Sequence, residues 1–433
     1  MSSYHAAYAW VDGKIARDVR IDVADGYITN VSMNSDKSGE SLRGLVIPGF
    51  ANAHSHAFHR ALRGRTHGDR GSFWTWRELM YQVAGRLDPD SYFTLAKAVY
   101  GEMALAGITT VGEFHYLHHG PDGVPYADPN AMGHALIAAA REAGIRITLL
   151  DAVYLTAGVE GKPLEGVQRR FGDGSYDGWF ERFEQLHGGD GVKIGAALHS
   201  VRAAPADGMA TFAQRTGGLP VHVHLSEQPA ENEACRNVHG CSPAELLDAM
   251  GVWQPTTTAV HATHLSTADL GILGDGQYIC FCPTTERDLA DGIGPARALA
   301  DAGATLTLGS DSHAMIDIFE EARGVELDER LATRQRGHFT AAELLTAATS
   351  AGHASLGWSD TGEIAAGRRA DLVAVSLDSV RTAGTDPAGL IFAATAADVT
   401  DVIVDGRRIV TDGRHRSIDV PAALRDAIAG VLS

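Results

Sequence analysis

His54 and His56 stand one residue apart in the stretch FANAHSHAFHRALRG (50–64), at the end of the apolar run LVIPGF. Side chains on a strand alternate between its faces, so residues at i and i+2 point the same way. Two imidazoles sharing a face at the end of a buried strand can serve as paired metal ligands; taken alone they equally fit a solvated loop. The decision rests on whether other segments supply the remaining donors, and they do. His199 and Arg202 follow the run VKIGAAL. His222, His224 and Glu227 lie in LPVHVHLSE, His261 and His264 in TTTAVHATH, and Asp311, Ser312 and His313 follow TLTLGS. Histidine accounts for only 20 of 433 residues, so its concentration behind apolar runs points to a shared site.

Three neutral imidazoles and one carboxylate suit Zn²⁺ and leave room for water or substrate. The expected ligands to a single divalent ion are His54, His56, His224 and Asp311. His224 is preferred to His222 because it lies nearer the strand end; His222 falls a layer deeper and reads as a hydrogen-bonded core residue. Water on such an ion has a pKa of about 7, which provides a nucleophile at neutral pH. Glu227, just past His224, could shuttle a proton to a leaving nitrogen. His261 could polarise the electrophile or steady developing charge, and Asp311 could be both ligand and base. A second ion would need a bridging carboxylate, often a modified lysine ending the fourth strand. Lys193 begins that strand instead, so one ion is expected.

The elements that must position these residues are legible as runs. Apolar β-like segments at 44–54, 109–116, 146–155, 192–200, 219–227, 257–264, 277–282 and 305–313 alternate with Ala-, Leu- and Glu-rich stretches. One of these, SPAELLDAMG, opens on Ser242 with Glu245 placed for a capping box. The alternation predicts an α/β fold, a parallel (β/α)8 TIM-like barrel over 49–362 with its site at the C-terminal strand ends. An open doubly wound sheet is the second choice, since no Gly-x-Gly-x-x-Gly turn follows the first strand. Residues 1–48 and 363–433 read differently, as short alternating strands joined by Asp-Gly turns. The economical reading is one small β-sandwich domain built from both termini, with the barrel inserted between them.

Bulk properties narrow the function classes. The chain is 45% hydrophobic and 21% charged, as in soluble globular proteins, with net charge -18. No basic face is available for nucleic acid, and an anionic substrate must be held by particular arginines. The four cysteines are too few for a disulfide framework; Cys280 and Cys282 share a strand face and read as small buried apolar residues. No apolar run is long enough for a membrane span, and MSSYHAAYAW has no signal-like character, so a cytoplasmic location is expected. A homodimer is compatible with a barrel of this size.

The motifs PGFANAHSHAF, HVHLSEQ, VHATH and GSDSH, with the closing GEIAAGRRADLVAV, resemble those of the amidohydrolase superfamily, from about Leu45 to Gly413. SFWTWRELMY (72–81), EFHYLHH (113–119), LHSVRA (198–203) and LSEQ (225–228) are more specific. They resemble the formimidoylglutamate deiminase family, which converts N-formimino-L-glutamate and water to N-formyl-L-glutamate and ammonia in histidine degradation, using one zinc. The resemblance implies His54, His56, His224 and Asp311 as ligands and Glu227 with His261 as the catalytic pair. It places substrate contacts at His59, Arg77, Tyr116, His199 and Arg202. Two arginines suit a substrate with two carboxylates, because guanidinium forks bind carboxylates bidentately. At position 59 the family has glutamine where this chain has histidine, and the seventh-strand exit CPTTERDLADGIGP also departs from the family pattern. Both changes leave room for another N-formimino amino acid as substrate.

Two other readings compete. An aminohydrolase of the same superfamily could act on a purine, pyrimidine or triazine ring, which would favour stacking aromatics over carboxylate clamps. A non-catalytic scaffold would be expected to have lost ligands, and none is missing here.

Overall fold

The computed structural model describes residues 2–67 and 73–433, with backbone alone for 73–75; Ser72 of the 72–81 motif lies outside the described residues. The chain starts as sheet: β1 (Ser2–Val11), β2 (Lys14–Ala24), β3 (Tyr27–Ser32) and β4 (Glu40–Pro48). The barrel strands follow. They are β5 (Phe50–Ser55), β6 (Ile108–His115), β7 (Arg146–Val153), β8 (Val192–Leu198), β9 (Val221–Leu225), β10 (Thr257–His261), β11 (Tyr278–Phe281) and β12 (Thr305–Leu308). The chain then returns to sheet in β13 (Leu372–Val375), β14 (Val399–Val404), β15 (Arg407–Thr411) and β16 (Arg414–His415).

Every residue of β5, β6, β7, β9 and β10 is buried. Strands covered on both faces belong to parallel sheets wrapped by helices. Indeed β5 to β12 pair in chain order, each parallel to the next. A bridge between Ser55 and Asp311 brings the two ends of that sheet together, so the barrel is nearly closed. Gly309 makes the seam possible: a Cβ there would lie 2.8 Å from the His54 carbonyl oxygen. The helices between strands carry N-terminal caps written in the sequence. Ser242 and Glu245 form the expected capping box, and Ser266 with Asp269 forms another.

The two termini build one mixed sheet of eight strands in the order β16-β15-β14-β13-β4-β1-β2-β3. Where the sequence suggests a small β-sandwich, the strands form this single hydrogen-bonded layer, joined where β4 runs antiparallel to β13. The apolar run 44–54 proves to be two strands in different sheets. The break falls at Pro48–Gly49, where a Cβ on Gly49 would come within 2.4 Å of the Thr109 side chain. Arg146, at the start of β7, is buried between the sheets and binds Asp371 and Asp405 of the C-terminal segment. The stretch after 363 is not all strand. Helix Val420–Leu432 lies on the barrel helix Pro89–Leu105, with Val420 and Ile418 packed over Gly101. Among the described residues no helix is long and apolar enough to cross a membrane.

Candidate metal centre and active site

The strand tips converge. His54 Nε2 lies 3.1 Å from His224 Nε2 and 3.2 Å from an Asp311 carboxylate oxygen. His56 Nε2 lies 3.4 Å from His224 Nε2 and 3.3 Å from the same Asp311 oxygen. Ligands about 2.0–2.1 Å from a tetrahedral ion would be separated by roughly 3.3–3.4 Å, so the spacing matches. The chemistry of the donors matches as well. His56 Nδ1–H donates to the Phe114 carbonyl at 2.9 Å, and His224 Nδ1–H to the His199 carbonyl at 2.7 Å. Those bonds fix the tautomers and leave the two Nε2 atoms as lone pairs facing one another, an arrangement that a cation relieves and a hydrogen bond cannot. Phe114 packs its ring against all three imidazoles, which keeps the surroundings apolar. Burial holds His56 down to about 3 and lowers His54 and His224 too, so the imidazoles stay neutral, as ligation requires. For Asp311 burial acts in the other direction, but the neighbouring histidines overcome it and keep the carboxyl ionised.

Asp311 has φ 42° and His261 φ 69°, both left-handed. The Asp311 N–H donates to the His54 carbonyl at 3.0 Å and its own carbonyl accepts from His56 N at 3.1 Å. Asp311, an expected ligand, is therefore also the stitch across the seam. Behind it, Ser55 Oγ donates to Glu113 at 2.7 Å and lies 3.2 Å from His313 Nε2, while His313 Nδ1 lies 2.9 Å from Ser310 Oγ.

Beside the cluster, His261 Nε2 lies 3.8 Å from Glu227 and 3.9 Å from Asp311. These gaps exceed hydrogen-bond length and open on a cavity of about 390 Å³. Burial disfavours the charged form of His261, yet Glu227, Asp311 and Glu286 together raise its pKa well above the usual value. All five expected substrate contacts line that cavity: His59, Arg77, Tyr116, His199 and Arg202. His59 Nε2 lies 2.9 Å from the Tyr116 hydroxyl, and Arg77 sits 5.5 Å over the Tyr81 ring. Arg202 reaches two carboxylates, Glu227 and Glu231, at 3.4 Å each.

Other sequence expectations fall elsewhere. His222 is fully buried beneath the cluster and is no part of it. Neither of its ring nitrogens makes a well-formed hydrogen bond, the Ser355 backbone offering only a weak one. Lys193 lies over the Trp358 ring, at the start of β8 and away from the site. His264 is spent on the Asp291 carbonyl. Cys280 and Cys282 are buried as expected, although Cys282 also comes within reach of His261 and Asp311. A second histidine group, His115, His118 and Asp151, has metal-like spacing, but Arg182 and Trp179 already bond both Asp151 oxygens.

Sequence reasoning passed over Glu286, which lies 3.3 Å from His261 Nδ1 and orients the ring. It also passed over Glu231 beside Arg202, and over Tyr154 on the cavity wall. A signal existed for Tyr154, the first residue beyond a barrel strand at its C-terminal end.

The family model for the amidohydrolase family matches residues 45–409. The chain belongs to that family. A formimidoylglutamate deiminase of Pseudomonas aeruginosa is 37% identical over 96% of each chain. The crystal structure of an amidohydrolase from Brucella melitensis superposes with TM-score 0.91 over the whole of both chains, at 32% identity. An adenosine deaminase from Xanthomonas campestris, solved with bound zinc, shares the fold with TM-score 0.84 at 24% identity, covering 99% of this chain and 97% of its own. As an amidohydrolase this chain is a hydrolase, and its buried His/Asp cluster is of the kind that holds a metal ion.

Proposed function

We propose that this amidohydrolase deiminates N-formimino-L-glutamate, giving N-formyl-L-glutamate and ammonia, with one zinc held by His54, His56, His224 and Asp311. The observation that carries the reading is the pairing, in one cavity, of the His/Asp cluster with two arginines, Arg77 and Arg202. In a chain of net charge -18, two cations facing a catalytic cavity suit a dicarboxylate. The 37% identity to a formimidoylglutamate deiminase supports the same substrate.

Zinc at this site supplies Lewis acidity and an acidified water. The protein's residues do the rest. Asp311 accepts the proton of the attacking water as the formimino carbon becomes tetrahedral. Glu227 relays both water-derived protons, the one taken by Asp311 and the one the hydroxyl gives up as it becomes the carbonyl, to the departing nitrogen, and His261, oriented by Glu286, steadies charge on the adduct. The C=N bond becomes C=O, and the nitrogen leaves as ammonia.

The aromatic lining, with Trp76, Tyr81, Tyr116, Tyr154 and Phe171, favours a second reading in which a flat heterocycle is deaminated. One assay separates the two: ammonia release from N-formimino-L-glutamate, then from guanine, cytosine and adenosine, with and without chelator. Chelator-sensitive release from the first alone is expected. Release from a ring and none from the formimino compound overturns the proposal.

A further inference from the structure

Arg202 is already engaged. Its guanidinium lies 3.4 Å from both Glu227 and Glu231, so much of its charge is spent before a substrate arrives. A carboxylate brought to that wall needs a further donor, and that donor should add no charge of its own. Tyr154 meets the requirement. It is the first residue after β7 and lines the cavity with Arg77 and Arg202. Its ring lies 4.5 Å from that of His199 and 6.2 Å from that of Tyr116. Gln168 Nε2 donates to the Tyr154 oxygen at 3.3 Å, which orients the hydroxyl and leaves its proton available. Among the described residues no group accepts that proton. Burial pushes the phenol up to about 12 against the pull of the nearby arginines, so it remains a donor throughout the neutral range.

Building on the proposed function, we infer that the Tyr154 hydroxyl, oriented by Gln168, donates to the side-chain carboxylate of the substrate between Arg77 and Arg202, and sets the preference for a second carboxylate. The neutral donor adds directionality where a third cation would be neutralised by Glu231.

The test compares wild type with Tyr154→Phe, and with Gln168→Leu as a gentler variant, after melting temperature and metal content confirm an intact protein. Steady-state ammonia release is measured on N-formimino-L-glutamate and on N-formimino-L-glutamine, which keeps the shape and loses the charge. A hydrogen bond to a charged group is worth about ten- to hundredfold in affinity. The expected result is a KM for the glutamate compound raised by that factor in Tyr154→Phe, and less in Gln168→Leu. Turnover should stay within about threefold, and KM for the glutamine compound should change much less. Equal rises for both compounds, or a fall in kcat with KM unchanged, would overturn the inference. Binding of N-acetyl-L-glutamate, measured by calorimetry, separates this inference from the reading beneath it. If wild type releases no ammonia from the formimino compound, yet Tyr154→Phe still weakens N-acetyl-L-glutamate about tenfold, the carboxylate subsite stands and the deiminase reading falls. If wild type is active and Tyr154→Phe alters neither KM nor this binding, the subsite falls alone.

Discussion

His115, His118 and Asp151 match His54, His56, His224 and Asp311 in residue type, burial and spacing. They differ in what each donor already holds. Asp151 accepts three hydrogen bonds, two from Arg182 and one from Trp179, and the Arg182 guanidinium is shared with Asp173. A cation is thus already in residence, and a metal ion would have to sit beside it. His118 Nε2–H donates to the Ala152 carbonyl, while its Nδ1 faces Asp151 at 3.7 Å. In the other group the Nδ1 atoms of His56 and His224 are bonded to backbone carbonyls, and the Nε2 lone pairs point at one another with no cation among the described residues between them. Residue type and burial therefore do not make a metal centre; unsatisfied lone pairs aimed at one point do.

The largest effect should come from the ligands. His224→Ala or Asp311→Asn should lose the metal, measured by elemental analysis, and lower ammonia release by about 10³-fold or more, since the metal-generated nucleophile goes with it. His118→Asn should retain full metal content. Loss of metal from that variant would break the comparison. Next is Glu227→Gln, expected to lower kcat by roughly 10²–10⁴-fold with metal content intact; near-normal turnover would end the proton-shuttle role.

Asp151→Asn tests the other side. Removing one partner of a buried ion pair costs about 3–5 kcal/mol, and because Arg182 keeps Asp173 the lower end is expected, read from the urea midpoint. Metal content and kcat should not move. The smallest effect is a slope. Burial and the Arg182 charge hold His118 at about 4, against about 6.5 in an unfolded chain. Between these values the unfolded chain binds a proton that the folded chain refuses, so stability falls as pH drops through that window and is level above it. The slope from one such group is at most about 1.4 kcal/mol per pH unit, and His118→Asn should flatten the acid limb by that share when urea midpoints are compared at pH 7 and pH 5.

Much of this was legible in the chain itself. The barrel strands announced themselves as apolar runs, the first of them fused with β4, and the clustering of His54, His56, His224 and Asp311 followed because strand ends in such a barrel share one mouth. The residues that refine the site were hidden for a physical reason. Glu286 in PTTERD and Glu231 in PAENEACRNVH sit on short helices with polar neighbours, where a carboxylate reads as solvated surface; only the fold turns them toward His261 and Arg202. The left-handed turn at Asp311 left no mark either, because its cause is the seam with His54, more than 250 residues earlier in the chain.

That stitch has a temporal consequence. Asp311 exchanges backbone hydrogen bonds with His54, near the end of β5, and with His56 just beyond it, so first and last staves must meet before an ion could have a cage. A chain still being synthesised, with its earlier staves folded but the last one unmade, owns three imidazoles and no socket. Metal capture at that cluster would then mark completion of the barrel, and would hold shut a ring whose final joint is only a few hydrogen bonds wide.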